Sequence, residues 1–362
     1  MRQVALAAAG LGLAGLARLL AEVEAIVEFH RNALFPRIAF LLQAVSSGVS
    51  TTLGEAVAAS LILGSIAWLV MRRGRNLGAI VFALGLLVAG FYLSWGLAYN
   101  YPPLSARLQP LRAETSKGDS EKRLVDLAER SARLAARASE GAVTFAGTEL
   151  EFLARINGGL DAGFMRWPAS IEASPIRTVS FGPAKASRVS FALSLLQISG
   201  YYFPWTGEAQ IDAEMPRTLW PRVAAHEKAH QRGFAREDEA TAIGVITCLS
   251  STDPTVFYGG TLGLFVSLDR ELSRLDPAAR RRVWGELGPR VVGDLQREAA
   301  FWKAHEGVAG RVSEKVNDTY LKAQGVRSGA GSYAEATRLI LAAIETKGLA
   351  LGPLLLAAEP VG

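Results

Sequence analysis

The sequence predicts a mainly α-helical chain in two parts: three N-terminal transmembrane helices, then a larger α+β domain with a small sheet. Three observations predict it. Charge is scarce at the front, where residues 1–100 hold 7 arginines, 4 glutamates and no lysine, out of 39 Lys+Arg and 34 Asp+Glu in 362 residues. Long uncharged stretches rich in Ala, Leu, Ile and Val fall in the same part. From residue 101 onward the pattern is that of amphipathic soluble helices, interrupted once by a stretch rich in β-branched and aromatic residues. With 50% apolar and 20% charged residues the chain is not disordered. A net charge of +5 spread over both parts offers no basic stripe for nucleic acid. The single cysteine, Cys248, excludes an internal disulfide and a cysteine-rich metal cluster, and reads as a small buried side chain.

The expected spans are residues 4–21, 55–71 and 77–97. The first, Val4 to Ala21, reaches spanning length with Arg18 snorkelling. It also has the dimensions of a cleaved signal peptide, but two further spans follow and a retained anchor suits them better. Arg72, Arg73 and Arg75 lie between the second and third spans, which places that loop on the cytoplasmic side. By alternation the N-terminus is inside, residues 22–54 are outside, and everything after Tyr99 is extracytoplasmic. Residues 1–100 thus form a membrane anchor and 101–362 an outer domain. Tyr92, Trp95, Tyr99 and Tyr101 read as an interfacial aromatic belt ended by Pro102-Pro103. Residues 38–54, uncharged but rich in Ser and Thr, read as an outer helix or hairpin lying on the bilayer.

In the outer domain, residues 119–140 form a strongly amphipathic helix capped by Asp119-Ser120. Residues 171–213 lose helical character, and Gly200 to Ile211 (GYYFPWTGEAQI) reads as extended. Helical patterning resumes at Thr218. Asp276-Pro277 marks a cap with proline at the first helical position. Ser332 to Glu335 forms a capping box that opens the last clear helix. The run Leu349 to Leu356 is apolar but too short to span.

The chemistry concentrates between Pro221 and Ala240 (PRVAAHEKAHQRGFAREDEA). His226 and His230, four apart on a helix, project from one face and offer two imidazole nitrogens to a zinc ion. Glu227, beside the first histidine, faces the open position, where it accepts a proton from an activated water. This is the metalloprotease H-E-x-x-H arrangement. With 4 histidines in the chain, chance gives roughly 0.003 such matches. Gly233 falls where the helix ends in a left-handed residue. The cluster Glu237-Asp238-Glu239 opens the next helix and is the natural source of a third ligand. Glu237 is the choice, because Ala240, Thr241 and Gly244 follow it at helical spacing and let the two helices pack closely. Glu239, whose face continues to Ile243 and Ile246, is the alternative. His30 and His305 lack metal-like spacing and read as surface or interfacial residues. Asn317 and Tyr320, one turn apart on a late helix, are candidates to stabilise an oxyanion.

Four segments resemble an uncharacterised family of bacterial membrane proteins, known as a domain of unknown function (the thirty-eight-ten set) with a zincin-like signature. They are SWGLAYNYPPL (Ser94 to Leu104), ISGYYFPWTGEAQID (Ile198 to Asp212), HEKAHQRGFAREDEA (His226 to Ala240), and VNDTYLKAQG with GSYAEATRLI (Val316 to Ile340). With the three-helix front they cover most of the chain. Phe203 and Thr241 depart from the family pattern, which has Asn at both. The resemblance implies a membrane-anchored, zinc-dependent, peptidase-like domain. The E-x-E-A pattern is also similar to the second ligand helix of gluzincin-type peptidases, which maps the third ligand onto Glu237.

The expectation is therefore a membrane-anchored zinc metallopeptidase, a hydrolase of zincin type. Zn2+ is held by His226, His230 and Glu237, Glu227 is the general base, and Tyr320 is a candidate catalytic donor. Its expected partners are a peptide or protein substrate and the lipid bilayer, with no nucleic acid. Gly200 to Ile211 line the cleft and hold substrate by strand addition, or else form a packed aromatic loop. Two alternatives remain open: a cell-envelope binding or scaffold protein with a structural zinc closed by Glu239 or His305, and an amidase of wall peptides using the same metal.

Overall fold

The computed structural model describes residues 1–71, 77–106, 108, 117–142, 147–167, 182–324 and 333–345. The apolar front of the chain forms α1 (Arg2–Leu20), α2 (Glu24–Phe29), a π-helical turn (His30–Leu34), α3 (Phe35–Ser47), α4 (Leu53–Met71) and α5 (Leu77–Ser94). The remainder forms α6 (Lys117–Gly141), α7 (Glu149–Phe164), β1 (Lys185–Ala186), α8 (Ser190–Leu195), β2 (Gly200–Phe203) and β3 (Glu208–Ile211). Then come α9 (Trp220–Gln231), α10 (Glu237–Leu249), α11 (Pro254–Leu275), α12 (Pro277–Gly285), α13 (Pro289–Ala304), α14 (Val308–Ala323) and α15 (Tyr333–Glu345). The chain is mainly helical with a small three-stranded sheet, as its patterning predicts.

α1 and α5 are long and apolar enough to cross a membrane, and among the described residues α4 (Leu53–Met71) offers the shorter apolar stretch Leu53–Ala67. Among the described residues, two helices rather than the expected three meet the requirement. Glu55, in the first turn of α4, accepts hydrogen bonds from Ser187 Oγ (2.5 Å), the Arg188 amide (3.0 Å) and Tyr201 Oη (3.0 Å). The start of the expected 55–71 span is thus bonded into the domain. The third helix also ends earlier than expected, at Ser94, and residues Gly96–Asn100 tighten into a 3-10 turn.

α1 and α5 run parallel. Gln3 lies against Gly78, Gly10 against Val81 and Phe82, and Ala21 shares a small core with Tyr92. A Cβ on Gly85 would sit 2.1 Å from the Gly10 carbonyl oxygen, so these backbones touch and only glycine fits. The N-terminus of α4 and the C-terminus of α5 both meet the domain: Gly54 abuts Phe203, and Phe91 stacks on Trp205. α4 therefore runs away from the domain and α5 returns to it.

The three strands order as β1-β3-β2, with β1 parallel and β2 antiparallel to β3. Gly200 pairs with Ile211 and Phe203 with Glu208. The Gly200 to Ile211 segment is thus a hairpin whose turn holds Gly207 at φ +68°. Two large cores flank the site. One joins α6, α10, α11, α13 and α15, and the other joins α7, the sheet and α9.

Several expectations change in detail. α6 begins at Lys117, upstream of the expected Asp119-Ser120 cap. Asp276 does cap α12, accepting from the amides of Ala278 and Ala279. Ser332 of the capping box, the arginines between α4 and α5, residues 171–181 and the Leu349 to Leu356 run lie outside the described residues. The 38–54 segment is not simply laid on a bilayer. It holds the C-terminal part of α3, whose Ala39, Gln43 and Ser46 are buried against the domain. Packing runs across the boundary expected at residue 100, since Val27, Phe35, Ala39, Trp95, Ala98 and Tyr99 share one core with Ala235 and Leu321.

Candidate metal centre

α9 carries the H-E-x-x-H residues, and the chain reverses at Gly233, whose φ of +87° is the left-handed conformation expected there. α10 then packs against α9 so closely that a Cβ on Gly244 would lie 3.0 Å from the His226 amide nitrogen. This brings Glu237, the first residue of α10, opposite the two histidines. His226 Nε2 lies 3.1 Å from Glu237 Oε2 and 3.1 Å from His230 Nε2, and His230 Nε2 is 3.7 Å from the same carboxylate oxygen. One ligand atom from each residue falls within 4.8 Å of the others, a group able to hold a metal ion.

The outer nitrogens fix the rings. His230 Nδ1 donates to the Phe234 carbonyl at 2.6 Å, which leaves the Nε2 lone pair of the neutral ring aimed at the group. His226 Nδ1 meets Thr241 Oγ1 at 3.2 Å. The Trp95 ring stands edge-on to His230 at 5.9 Å. Two neutral imidazole nitrogens 3.1 Å apart repel unless a proton or a cation lies between them. Burial opposes a charge on His230, but the charge and hydrogen bond of Glu237, with the charge of Glu227, raise its pKa to about 9. Burial also opposes ionisation of Glu237, yet His230 and the bonds from both imidazoles hold its carboxyl well below the usual range. The three groups thus gather around one positive charge. Two nitrogens and one carboxylate suit zinc and leave a fourth position open.

Glu227 is 4% exposed, and burial pushes its pKa up to about 7 against the opposing pull of His226 and His230. A carboxyl poised there is suited to proton transfer near neutrality. Gly200 of β2 faces it, and a Cβ at that position would lie 2.9 Å from Glu227 Oε1. The edge strand therefore runs directly past the base.

Glu239, the alternative ligand, does not join the group. Its carboxylate accepts the Leu104 amide at 2.8 Å and faces Arg236 at 3.9 Å. His305 bonds the Phe301 carbonyl at 2.8 Å. His30 is not a surface residue: it is 1% exposed, with Nδ1 2.6 Å from Tyr101 Oη and Nε2 2.7 Å from the Leu93 carbonyl. Cys248 is buried, as its type predicts. Tyr320 packs edge-on to Tyr99 at 6.0 Å and hydrogen bonds with it. Burial raises the Tyr320 phenol to about 12, and the charge of Glu237 acts on both tyrosines in the same direction. Asn317 is exposed.

The expected aromatic belt turns inward. Tyr92, Trp95, Tyr99 and Tyr101 are all buried, because each has a partner in the domain or in the outer segment. Tyr99 reaches Tyr320, Trp95 stacks on Tyr202 at 4.7 Å, and Tyr101 holds His30. Sequence reasoning missed Tyr99 and Trp95 as neighbours of the site, although the segment Ser94 to Leu104 had already stood out. It also missed Lys228, fully buried between the two histidines in sequence. Lys228 donates to the Gly182 carbonyl at 3.2 Å and pairs with Asp161 at 3.1 Å, and burial lowers its pKa to about 8.

The class that fold and site define is a mainly helical protein with candidate membrane helices and a His-Glu-His group on two packed helices. A family model described as a protein of unknown function (DUF3810) matches residues 30–341, and the chain belongs to that family. No curated protein and no solved structure matches it.

Proposed function

We propose that the protein is a membrane-anchored, zinc-dependent peptidase of zincin type. The observation that carries this reading is the convergence of His226, His230 and Glu237 within 4.8 Å, with buried Glu227 beside them. His226, His230 and Glu237 would hold the ion. When bound, zinc supplies Lewis acidity that lowers the pKa of a water and polarises a carbonyl. Glu227 accepts the proton of the attacking water and returns it to the leaving amine. Tyr320, steadied by Tyr99, is the candidate donor to the oxyanion. β2 is an edge strand that passes Glu227, and a peptide added to it as a further strand would bring its carbonyls to the base.

The structural-zinc alternative needs a fourth protein ligand. Glu239 and His305 are both bonded elsewhere, which supports the open, hydrolytic reading. A wall-peptide amidase would use the same groups, and substrate choice separates the two. The anchoring rests on α1 and α5, with α4 as a third crossing: its 19 residues reach about 28 Å, close to the thickness of a bilayer core. The parallel course of α1 and α5 is compatible with such a return. The three arginines after α4 support, by the positive-inside bias, a domain on the extracytoplasmic side of a bacterial cytoplasmic membrane.

The test is hydrolysis of a mixed peptide library and of wall muropeptides by the zinc-loaded full chain, wild type beside Glu227→Gln. Cleavage by the wild type and its loss in a variant that still binds zinc support the reading. Equal cleavage by both removes it.

A further inference from the structure

α8 and α14 share a feature that the proposed chemistry does not use. α14 exposes a stripe of valines at intervals of four, Val308, Val312 and Val316, at 68, 57 and 64% exposure. Gly310 and Leu321 are its buried residues, so the valines point away from the domain. Arg311, Lys315 and Lys322 lie beside the stripe. α8 exposes Phe191 and Leu195, with Val189 just before it. A soluble surface rarely presents two such uncharged faces together.

Their placement says what covers them. The backbone before α8 is bonded to the first turn of α4 through Glu55 and Arg188. The end of α14 is bound to the end of α5: Tyr320 packs on Phe91, and Tyr92 Oη donates to Gln324 at 3.4 Å. Gly310 of α14 rests on Gln197, two residues beyond α8. The two helices thus form an arc from the top of α4 to the top of α5. Their apolar faces thus lie beside the ends of helices that are themselves apolar and exposed, at Leu61, Ile62, Leu84 and Val88 among others.

We propose that α8 and α14 lie in the outer leaflet of the bilayer, valine and phenylalanine faces down, with Arg311, Lys315 and Lys322 at the headgroups. A helix with one uncharged apolar face flanked by basic residues binds a lipid surface in this way. The arc holds the proposed metal site and the Tyr320 end of α14 near the membrane surface, so the substrate is a peptide segment that emerges from or rests on the bilayer. This inference rests on the anchoring by α4 and α5 proposed above.

The test uses the full chain in phosphatidylcholine vesicles, with a small environment-sensitive fluorophore on single introduced cysteines. Buried Cys248 stays in place, and wild type serves as the labelling blank. Positions Val312→Cys and Phe191→Cys report the arc, Glu314→Cys the opposite face of α14, and Leu84→Cys the membrane helix. Lipids with a nitroxide near the headgroup should quench positions 312 and 191 at least about twofold more than position 314, while Leu84→Cys responds to a deep nitroxide. Quenching at Leu84→Cys with none above the position 314 level at 312 and 191 overturns the arc alone. No quenching at Leu84→Cys overturns the anchoring and the arc with it. A spectral shift at 312 that depends on protein concentration and not on the lipid quencher assigns the face to a second copy and overturns the proposal.

Discussion

Two buried clusters of charge lie on either side of the hairpin, and they differ in how completely they are satisfied. In one, Lys185 Nζ donates to the carbonyls of Ser46, Val49 and Thr51 and to Glu208 Oε1, at 2.7 to 3.0 Å. Glu208 in turn accepts the amides of Leu53 and Gly54 and the hydroxyl of Thr206. Each of these groups has a partner, the three ammonium protons being shared among four acceptors, and the result is a clamp that fastens the stretch from α3 to α4 onto the sheet. In the other, His226, His230 and Glu237 turn acceptors toward one another, with the outer nitrogens already held by Phe234 and Thr241. A closed cluster stabilises a fold, while an acceptor-rich one asks for a cation. That difference sets the candidate metal centre apart from the buried Lys185–Glu208 pair.

The largest effect should come from breaking the closed cluster. Lys185→Met leaves a buried, unpaired Glu208, and removal of one partner from such a pair costs about 3–5 kcal/mol. Thermal unfolding of the detergent-solubilised chain should fall accordingly, and adding Glu208→Leu should recover part of the loss. A Lys185→Met protein as stable as wild type would show that the clamp is not a stabilising device. Zinc should affect only the other cluster. At a hundredfold excess over its dissociation constant it should stabilise the wild type by about 2.7 kcal/mol and leave His226→Ala unchanged. A ligand-dependent rise in melting temperature in both proteins would break the comparison.

Thr241→Val offers a finer contrast. It removes the contact to His226 Nδ1 and keeps the size of the side chain. Loss of such an orienting partner typically weakens metal binding about 10–100-fold. Competition against a chelator measures it, and an unchanged affinity would make Thr241 a packing residue only. The smallest effect is one of pH. Burial alone would raise the Glu208 pKa, but Lys185, Thr206 and the two amides lower it below that of a free glutamate, about 4.3. Its contribution is therefore complete above pH ~4.3 and fades as pH falls below that value toward the folded pKa. Glu208→Gln should flatten this part of the stability profile, and an identical acid limb in both proteins would contradict the assignment.

The open cluster was legible in the sequence and the closed one was not. His226 and His230 share a helix, Gly233 marks its end, and Glu237 opens the next, so three local signals within twelve residues define the group. The small residues Ala240, Thr241 and Gly244 even foretold the close approach of α10. Lys185 and Glu208, by contrast, meet Ser46 to Gly54 across more than a hundred residues, and no periodicity reports such a contact. Tyr99 and His30 were misplaced for the same reason. An aromatic residue at the end of an apolar helix reads alike whether it faces headgroups or folds back onto a domain. α4 shows a related limit, since composition alone does not reveal that Glu55 ties its first turn to Ser187 and Tyr201.

The central claim is that the acceptor-rich cluster is a zinc centre. The most direct measurement is the metal content of the freshly purified full chain, beside His230→Ala and Glu227→Gln. The account predicts about one zinc per chain in the wild type and in Glu227→Gln, and none in His230→Ala. A folded wild-type protein that takes up no zinc even when zinc is supplied would contradict it.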